Sequence, residues 1–524
     1  MGRHSMSTAV EHCAEAPPQL DSQPEGTRRR EAADLRQRAV RGGAILIATR
    51  LLTQVFVWAI TLTVAKLLLP FDYGVMTSGL LIVGLADLLA EAGVGKALIQ
   101  KERLEPADVA EGFTLHLLLS AVSYAVLFAL AEPVALWLEV PEFAGFLRVL
   151  GLLLLLVPFR SIPLALLDRE LRLGKQSVVH VATTALQGGL VLGLAIAGFG
   201  YWALAAGAMA ARVLEAVSLT YLAGWRPRLR LPGVRARGLL AFGLSVSLSS
   251  LLWFVYSNAD FAIVGKLTGP VALGLYALAF QLISLPVQKL TANVNQVAYP
   301  VFCRLQHDRP RLRDWYLRLT VLLGCLGAPA LVGMALVAED AFALILGDKW
   351  LPAVLPFQLL SAVGVLMIYG ASVPALLSAV GRPDANLKYT FVCVLVYPPC
   401  FALAASSHGL LGVCVVWLAL YPIMLTALVW RTRQLTAVGP LDLLRAQTPV
   451  LAAVGFMAAA VWLAQRCLAG WDQIGLRLAV VIGVGVVAYV GWLLAAARRT
   501  VLADVRALLT EFRGNRSASG GSAS

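Results

Sequence analysis

The chain has 524 residues, of which 59% are hydrophobic and only 14% are charged. Soluble domains carry about 25% charged residues, so this balance indicates a membrane protein. The formal charge of +13 would suit a nucleic-acid binder, but the basic residues are spread over many short connections between apolar runs. We therefore assign this charge to membrane loops and expect no nucleic-acid partner.

A helix needs roughly 20 mostly apolar residues to cross the hydrocarbon of a bilayer. Runs of this kind predict an all-α, polytopic membrane protein with about fourteen spans. Twelve spans is the alternative if the pairs joined near 198–201 and 406–409 are each one span. The predicted spans are 43–65, 75–95, 112–131, 145–167, 177–198, 202–223, 239–263, 273–297, 315–337, 353–378, 388–407, 410–430, 448–466 and 475–496.

Charge in the connections predicts the orientation, because Lys and Arg accumulate on the cytoplasmic side. With both termini inside, basic clusters fall in every second connection without inverting along the chain. The predicted location is therefore a bacterial cell inner (cytoplasmic) membrane, multi-pass, with residues 1–40 and 499–524 as cytoplasmic tails. The first tail lacks an apolar stretch typical of a cleavable signal peptide. The only lysines and arginines in the predicted outside connections are Lys66, Lys266, Lys349, Arg466 and Arg477.

A short motif occurs twice at an interval of 200 residues. Residues 65–74 read AKLLLPFDYG and residues 265–274 read GKLTGPVALG, which share Lys-Leu-x-x-Pro-x-x-x-Gly. The motif predicts an outer turn in which Pro stops a helix, Gly permits the reversal and Lys reaches the headgroups or contacts substrate.

Six spans separate the copies, so both copies enter the membrane from the same side and predict parallel repeats. The expected organisation is an N-lobe at 41–230 and a C-lobe at 231–432. An extra pair of spans follows at 433–498.

Several segments then resemble a known family. They are RAVRGGAILIATRLLTQVF (38–56), AKLLLPFDYGVM (65–76), GLADLLAEAGVGKALIQKE (84–102), NADFAIVGKLTGPVALGLYALAFQLISLP (258–286), AYPVFCRLQHD (298–308) and AVGRPDANLK (379–388). They are similar to the polysaccharide-transporter branch (Wzx-like, colanic-acid-exporter-like) of the MOP flippase superfamily. The resemblance implies flipping of an undecaprenyl-diphosphate-linked oligosaccharide across the inner membrane by alternating access, for exopolysaccharide or lipopolysaccharide biosynthesis.

Basic residues inside the predicted spans are candidates for holding a diphosphate, because guanidinium and ammonium groups bind phosphate oxygens. Each has a plainer interpretation. Arg212 and Glu215 share a helical face and would form an intrahelical pair, Arg160 would reach the inner headgroups, and Arg318 would be an orientation signal. The substrate-binding candidates are Arg50, Arg160, Arg212, Lys289 and Arg318.

Three carboxylates are candidates for coupling transport to H⁺ or Na⁺. Asp87 and Glu91 share one face at i,i+4, where like charges raise the cost of ionising both. Alternatively, one of them pairs with Arg50 and merely stabilises the lobe. Asp260 stands where the first repeat has Ile60, so it is not part of the repeated scaffold.

Two other functions are weighed against the flippase. A drug or cation antiporter of the same superfamily should favour a net acidic cavity, whereas the intramembrane charges here are net basic. A membrane-embedded glycan polymerase needs a catalytic site, commonly on sizeable loops, and the outside loops are short. The sequence therefore predicts a transporter and not an enzyme, with no cofactor and no metal. Expected partners are the lipid-linked oligosaccharide, membrane lipids, and a polysaccharide polymerase with its chain-length machinery.

Overall fold

The structure is a computed structural model, and it describes residues 57–170 and 172–495. Within these ranges the secondary structure is helical, without a β-strand. Eleven helical segments are long and apolar enough to cross a membrane, which confirms the all-α polytopic fold. The first predicted span and both tails lie largely outside the described residues.

The first half of the chain forms α1 to α8. A short apolar helix, α1 (Val57–Leu67), occupies the end of the first predicted span. The following helices are α2 (Pro70–Glu91), α3 (Val94–Gln100), α4 (Pro106–Leu138), α5 (Phe143–Leu150), α6 (Leu153–Arg169), α7 (Leu173–Ile196) and α8 (Tyr201–Leu222). The predicted fourth span is thus built from two helices, α5 and α6.

Two very long helices in the second half contain two predicted spans each. α9 (Val234–Leu305) is interrupted at Gly269, whose φ of 84° and ψ of 172° are not helical. α14 (Pro383–Thr436) is interrupted in the same way at Gly409. Dividing both at these glycines gives thirteen spans in the described residues, which together with α1 is consistent with fourteen.

The remaining helices complete the second half. They are α10 (Arg309–Leu336), α11 (Ala338–Ala341), a π-helix (Phe342–Leu346), a 3₁₀-helix (Asp348–Ala353), α12 (Val354–Gly370), α13 (Val373–Ala379), α15 (Pro440–Cys467) and α16 (Ile474–Ala495). α15 packs against α10 and α16 packs against α15. Arg313 of α10 pairs with Asp442 of α15 at 3.0 Å, and Arg477 of α16 pairs with Asp340. The extra pair of helices, α15 and α16, is therefore attached to α10 and α11.

The repeated motif adopts a different geometry from the predicted turn. α2 begins at Pro70, where the missing N–H of proline costs nothing, and the Asp72 carboxylate accepts the Leu69 N–H at 2.8 Å. Gly74 and Gly274 lie inside helices, whereas the positive φ in the second copy belongs to Gly269. The prediction that Gly74 and Gly274 permit a chain reversal was therefore wrong.

Candidate functional site

The two halves of the chain meet along α2 and α9, which pack against each other. Near the start of α2, a methyl group added at Gly74 would lie 1.8 Å from the Pro270 carbonyl oxygen. One added at Gly274 would lie 1.7 Å from the Pro70 carbonyl oxygen. The repeated Pro-x-x-x-Gly thus brings two helix backbones into direct contact, which any side chain would prevent.

A second close approach lies at the opposite end of the same seam. A methyl group added at Gly243 of α9 would lie 2.0 Å from the Ala92 carbonyl oxygen, and one at Gly93 would lie 2.5 Å from the Gly243 carbonyl oxygen. We call the end with Gly74 and Gly274 the outer end, and the end with Gly93 and Gly243 the inner end, following the predicted orientation. The two halves therefore touch at both ends of α2.

Trp350 joins the halves at the outer end. Its side chain is fully buried, its indole N–H donates to the Ala65 carbonyl at 2.8 Å, and its ring contacts Tyr73 edge to face. Lys349 donates to the Lys66 carbonyl at 2.6 Å. The 3₁₀-helix of the second half thus binds the unpaired carbonyls at the end of α1.

The second copy of the motif is held in a corresponding way. The Lys266 ammonium group donates to the Trp137 carbonyl and to Glu139 Oε1 at 3.1 Å, and lies over the Trp137 ring. Trp137 and Glu139 end α4 of the first half. Each copy of the motif is therefore contacted by a tryptophan-bearing segment of the other half.

The inner end is held by ion pairs between α4 and the start of α9. Arg235 lies 2.6 Å from Glu105 and 3.2 Å from the buried Asp108, which Lys101 also contacts at 2.6 Å. The buried Glu111 carboxylate accepts the Gly233 N–H at 2.9 Å, at the N-terminus of α9. The start of α9 is thus fixed to the first half of the chain.

Five of the charged residues named from the sequence come together between α2, α6 and α8. Arg160 Nε lies 3.0 Å from Glu215 Oε1, without the alignment of a hydrogen bond. Asp87 interacts electrostatically with Arg212 and Arg160, and Glu91 with Asp87 and Arg160. Glu215 therefore pairs with α6, not within its own helix as the plainer interpretation had it.

We call these five residues the charge cluster: Asp87, Glu91, Arg160, Arg212 and Glu215. Its basic groups do not outnumber its acidic groups. It contains three carboxylates and two guanidinium groups, all half-buried, and one carboxylate oxygen of Asp87 is buried without a hydrogen-bond partner in the described residues. Burying a carboxylate oxygen without a hydrogen-bond partner costs free energy.

Lys289 lies apart from that cluster, on α9. Its side chain is exposed together with those of Gln281, Gln288 and Gln296, and it forms no ion pair with a residue in the described ranges. Arg318 is half-buried near the start of α10. Arg50 lies outside the described residues, so its predicted role stays a prediction.

Asp260 is completely buried among aromatic rings. Its Oδ2 accepts hydrogen bonds from the Tyr276 hydroxyl at 2.5 Å and from Trp417 Nε1 at 3.1 Å, and its Oδ1 accepts the Phe261 N–H. The Tyr256 ring contacts the Trp417 indole edge to face, and the Phe280 ring is tilted against it. The three donors are two neutral side chains and one backbone N–H, and none of these contacts brings a second carboxylate that a metal ion would need. Elsewhere in the described ranges, no group of three His, Cys, Asp or Glu is placed to hold a metal.

Sequence reasoning did not single out Trp350, Tyr276 or Trp417. Each is an aromatic residue in an apolar chain, and only the packing of distant segments gives it a polar contact. Trp350 has one weak signal in the sequence, because tryptophan in a predicted outside connection is typical of an interfacial contact.

The chain is similar to a family and to several proteins of known role. The family model described as "Polysaccharide biosynthesis protein" matches residues 63–355, which is more than half of the chain. The lipopolysaccharide biosynthesis protein WzxC of Escherichia coli is 26% identical over 67% of this chain and 71% of its own. The teichuronic acid biosynthesis protein TuaB of Bacillus subtilis is 25% identical over 63% of this chain and 69% of its own.

Solved structures share the fold. The lipid II flippase MurJ in an inward closed conformation superimposes with a TM-score of 0.70, at 10% identity, over 86% of this chain and 99% of its own. An inward-facing multidrug resistance MATE transporter of the MOP superfamily gives 0.54, at 14% identity, over 76% of this chain and 94% of its own. Together with the sequence match, these findings show that the chain belongs to the polysaccharide biosynthesis protein family and has the fold of MOP superfamily transporters.

Proposed function

We propose that the chain flips an undecaprenyl-diphosphate-linked oligosaccharide from the cytoplasmic to the periplasmic leaflet of a bacterial inner membrane. The observation that carries this is the match of residues 63–355 to the polysaccharide biosynthesis protein family, in a chain with charged residues inside its membrane-spanning helices. Charges at such depth are costly and usually face a wet path for a polar substrate. The names of two similar proteins agree, since ExoT of Rhizobium meliloti is a succinoglycan biosynthesis transport protein and MurJ flips lipid II.

The diphosphate is the part of the substrate that these residues would bind. Arg160 and Arg212 present guanidinium groups within one cluster, and Lys289 presents an exposed ammonium group on α9, a helix on which Gln281, Gln288 and Gln296 are also exposed. Guanidinium groups bind phosphate oxygens in pairs, and the glutamine amides would hydrogen-bond sugar hydroxyls. Arg50 and Arg318 stay candidates for the same role.

Transport in this proposal follows alternating access between the lobes at 41–230 and 231–432. The outer contacts of Gly74, Gly274 and Trp350 separate to release substrate, while the inner contacts of Gly93 with Gly243 close the cytoplasmic side. An inside-negative potential favours outward movement of a diphosphate, by roughly 2.3 kcal/mol per charge per 100 mV. Asp260, or Asp87 with Glu91, would couple a proton to the cycle.

In this proposal the protein is a transporter and not an enzyme, and both of its termini are cytoplasmic. It would act beside a polysaccharide polymerase and its chain-length machinery, which receive the flipped substrate. A drug or cation antiporter is the second candidate, and the three carboxylates of the charge cluster favour it.

One experiment separates the two candidates. Purified protein is reconstituted into proteoliposomes with a fluorescent undecaprenyl-diphosphate oligosaccharide, and quenching by a membrane-impermeant reductant reports flipping. We expect flipping that depends on the diphosphate, so the undecaprenyl monophosphate sugar should move more slowly. Transport of ethidium driven by an imposed proton gradient, with no flipping of the lipid, would instead establish the antiporter.

A further inference from the structure

An open groove lies between α6 and α8, away from the α2–α9 seam. Its volume is about 700 Å³, within the usual range of about 300–1,000 Å³ for ligand pockets. The wall is mostly apolar, and the Thr220 hydroxyl joins the two helices by donating to the Phe159 carbonyl at 3.2 Å. The lining includes Leu156, Phe159, Val213, Val217 and Tyr221.

The groove and the charge cluster occupy different faces of α8. Val213, Val217 and Tyr221 follow one another at intervals of four residues and are exposed, Tyr221 at 84%. Arg212 and Glu215, in contrast, face α2 and α6. At about 100° per residue the two faces are well separated, so the groove is not part of the proposed substrate path.

The inner end of the groove carries aromatic and basic residues. Trp225 lies there against Phe113, whose ring centroid is 5.0 Å from its own, and Phe113 also contacts Phe159. Arg226 lines the groove and a smaller adjoining cavity of about 250 Å³, to which Arg228 also contributes. Trp225 is thus packed in an aromatic cluster, and Arg226 and Arg228 are among the residues that line this end of the groove and its adjoining cavity.

Arg226 and Arg228 differ from the other basic residues nearby. Arg230 and Arg235, a few residues on, pair with Glu111 and with Glu105 and Asp108. Arg226 and Arg228 are exposed, and neither forms an ion pair with a residue of 57–170 or 172–495. Two unneutralised guanidinium groups at the end of an apolar groove complement an anion on an acyl chain.

We propose that this groove binds one anionic phospholipid of the cytoplasmic leaflet. One of its acyl chains lies between α6 and α8, and its phosphate lies at Arg226 and Arg228. Trp225 occupies the boundary between headgroup and hydrocarbon, which is where tryptophan is enriched in membrane proteins. The site is independent of the proposed transport function, because it needs only the membrane and this face of the first half of the chain.

Native mass spectrometry of the full chain in detergent tests the site, with phosphatidylglycerol and phosphatidylcholine titrated separately. We expect phosphatidylglycerol to bind more tightly, and the double variant R226Q/R228Q to lose that preference with roughly tenfold or greater weakening. V217W fills the groove from its exposed side and should also displace the lipid. The matched control R237Q, an exposed arginine that does not line the groove, should bind as the original chain does.

Three results of the phospholipid titrations overturn the proposal. They are equal affinity for the two phospholipids, equal losses in R226Q/R228Q and R237Q, and binding that V217W leaves unchanged. Undecaprenyl diphosphate is titrated in parallel. If it binds with the same dependence on Arg226 and Arg228 while phosphatidylglycerol does not bind, the groove belongs to the transported lipid and not to a phospholipid.

Discussion

Gly74 of α2 and Gly274 of α9 lie backbone to backbone, in reciprocal contact with Pro270 and Pro70. The two residues are equivalent positions of one repeated motif, 200 residues apart. A contact between equivalent residues of two repeats lies close to their symmetry axis, as in an isologous interface. The repeated motif is thus a place where the repeats meet, and its glycine is required by that meeting.

Alanine at Gly74 should separate the outer end of the seam. Its methyl group would lie 1.8 Å from a backbone oxygen, which cannot move as a flexible side chain can. Overpacking of this kind costs about 1–3 kcal/mol, and here it acts only while the outer end is closed. We therefore expect G74A to expose the outer seam, measured as faster labelling of a cysteine placed at Ser78 by a membrane-impermeant maleimide.

Gly145 supplies the control, because a methyl group there would meet no atom within 4 Å. G145A should leave the labelling rate of the Ser78 cysteine unchanged. G274A should act as G74A does, since its clash is the mirror of the first. Labelling that rises equally in all three variants would show that the effect is general loosening, not separation of the seam.

Trp350 should stabilise the closed outer end more than any hydrogen bond there. It is fully buried, and replacing such a tryptophan by alanine costs about 3–5 kcal/mol. W350F keeps the ring contact with Tyr73 but loses the hydrogen bond to Ala65, for about 1 kcal/mol. We expect thermal unfolding in detergent to rank original chain, W350F and W350A in falling order. Equal stability of the three would contradict the contact.

The sequence was informative about the spans and much less so about the contacts between them. Apolar length predicted α7 and α8 closely, because crossing a bilayer constrains length and composition directly. Gly74 was found as part of a repeat but was given the wrong role, since Pro-x-x-x-Gly is equally consistent with a turn and with a close helix contact. Asp260 was singled out without Tyr276 and Trp417, because partners 16 and 157 residues away carry no local signal.

The Arg160–Glu215 pair allows a structural role to be separated from a substrate role. Removing one partner leaves a charge in a membrane helix without its neighbour, which destabilises by about 3–5 kcal/mol when the pair is buried and by less here because both are about one-third exposed. R160Q and E215Q should each lower the unfolding temperature, and R160Q/E215Q should recover part of the loss.

Flipping distinguishes the two roles. If Arg160 binds the diphosphate, R160Q/E215Q should remain inactive in proteoliposomes although its stability is partly restored. E215Q alone should keep measurable flipping, because the Arg160 guanidinium group remains. Full flipping activity of R160Q/E215Q would show that the Arg160–Glu215 pair has a structural role only.

Lys289 should contribute to substrate binding with little effect on folding. It is exposed and has no ion pair in the described residues, so its removal leaves no partner behind. A charge-assisted hydrogen bond is worth about 1.5–3 kcal/mol, so K289Q should raise the substrate concentration for half-maximal flipping by roughly tenfold or more. R309Q, an exposed arginine at the start of α10, is the matched control and should leave that concentration unchanged.

Substituting Asp260 tests the proposal that flipping is coupled to a proton. Its carboxylate accepts from Tyr276, Trp417 and Phe261, and an asparagine there has one acceptor oxygen in place of two. D260N should therefore keep the fold at a cost of about 1–3 kcal/mol, while losing the ability to gain and release a proton. We expect flipping by D260N to be insensitive to an imposed pH gradient that accelerates the original chain.

Tyr276 supplies the comparison for Asp260. Y276F removes one donor to Oδ2 but leaves the carboxylate and the Trp417 hydrogen bond, so its response to the gradient should persist. If D260N and the original chain respond alike, the carboxylate only joins helices and the proton site lies elsewhere. Asp87 and Glu91 would then be the next carboxylates to substitute, because both lie in the charge cluster with Arg160.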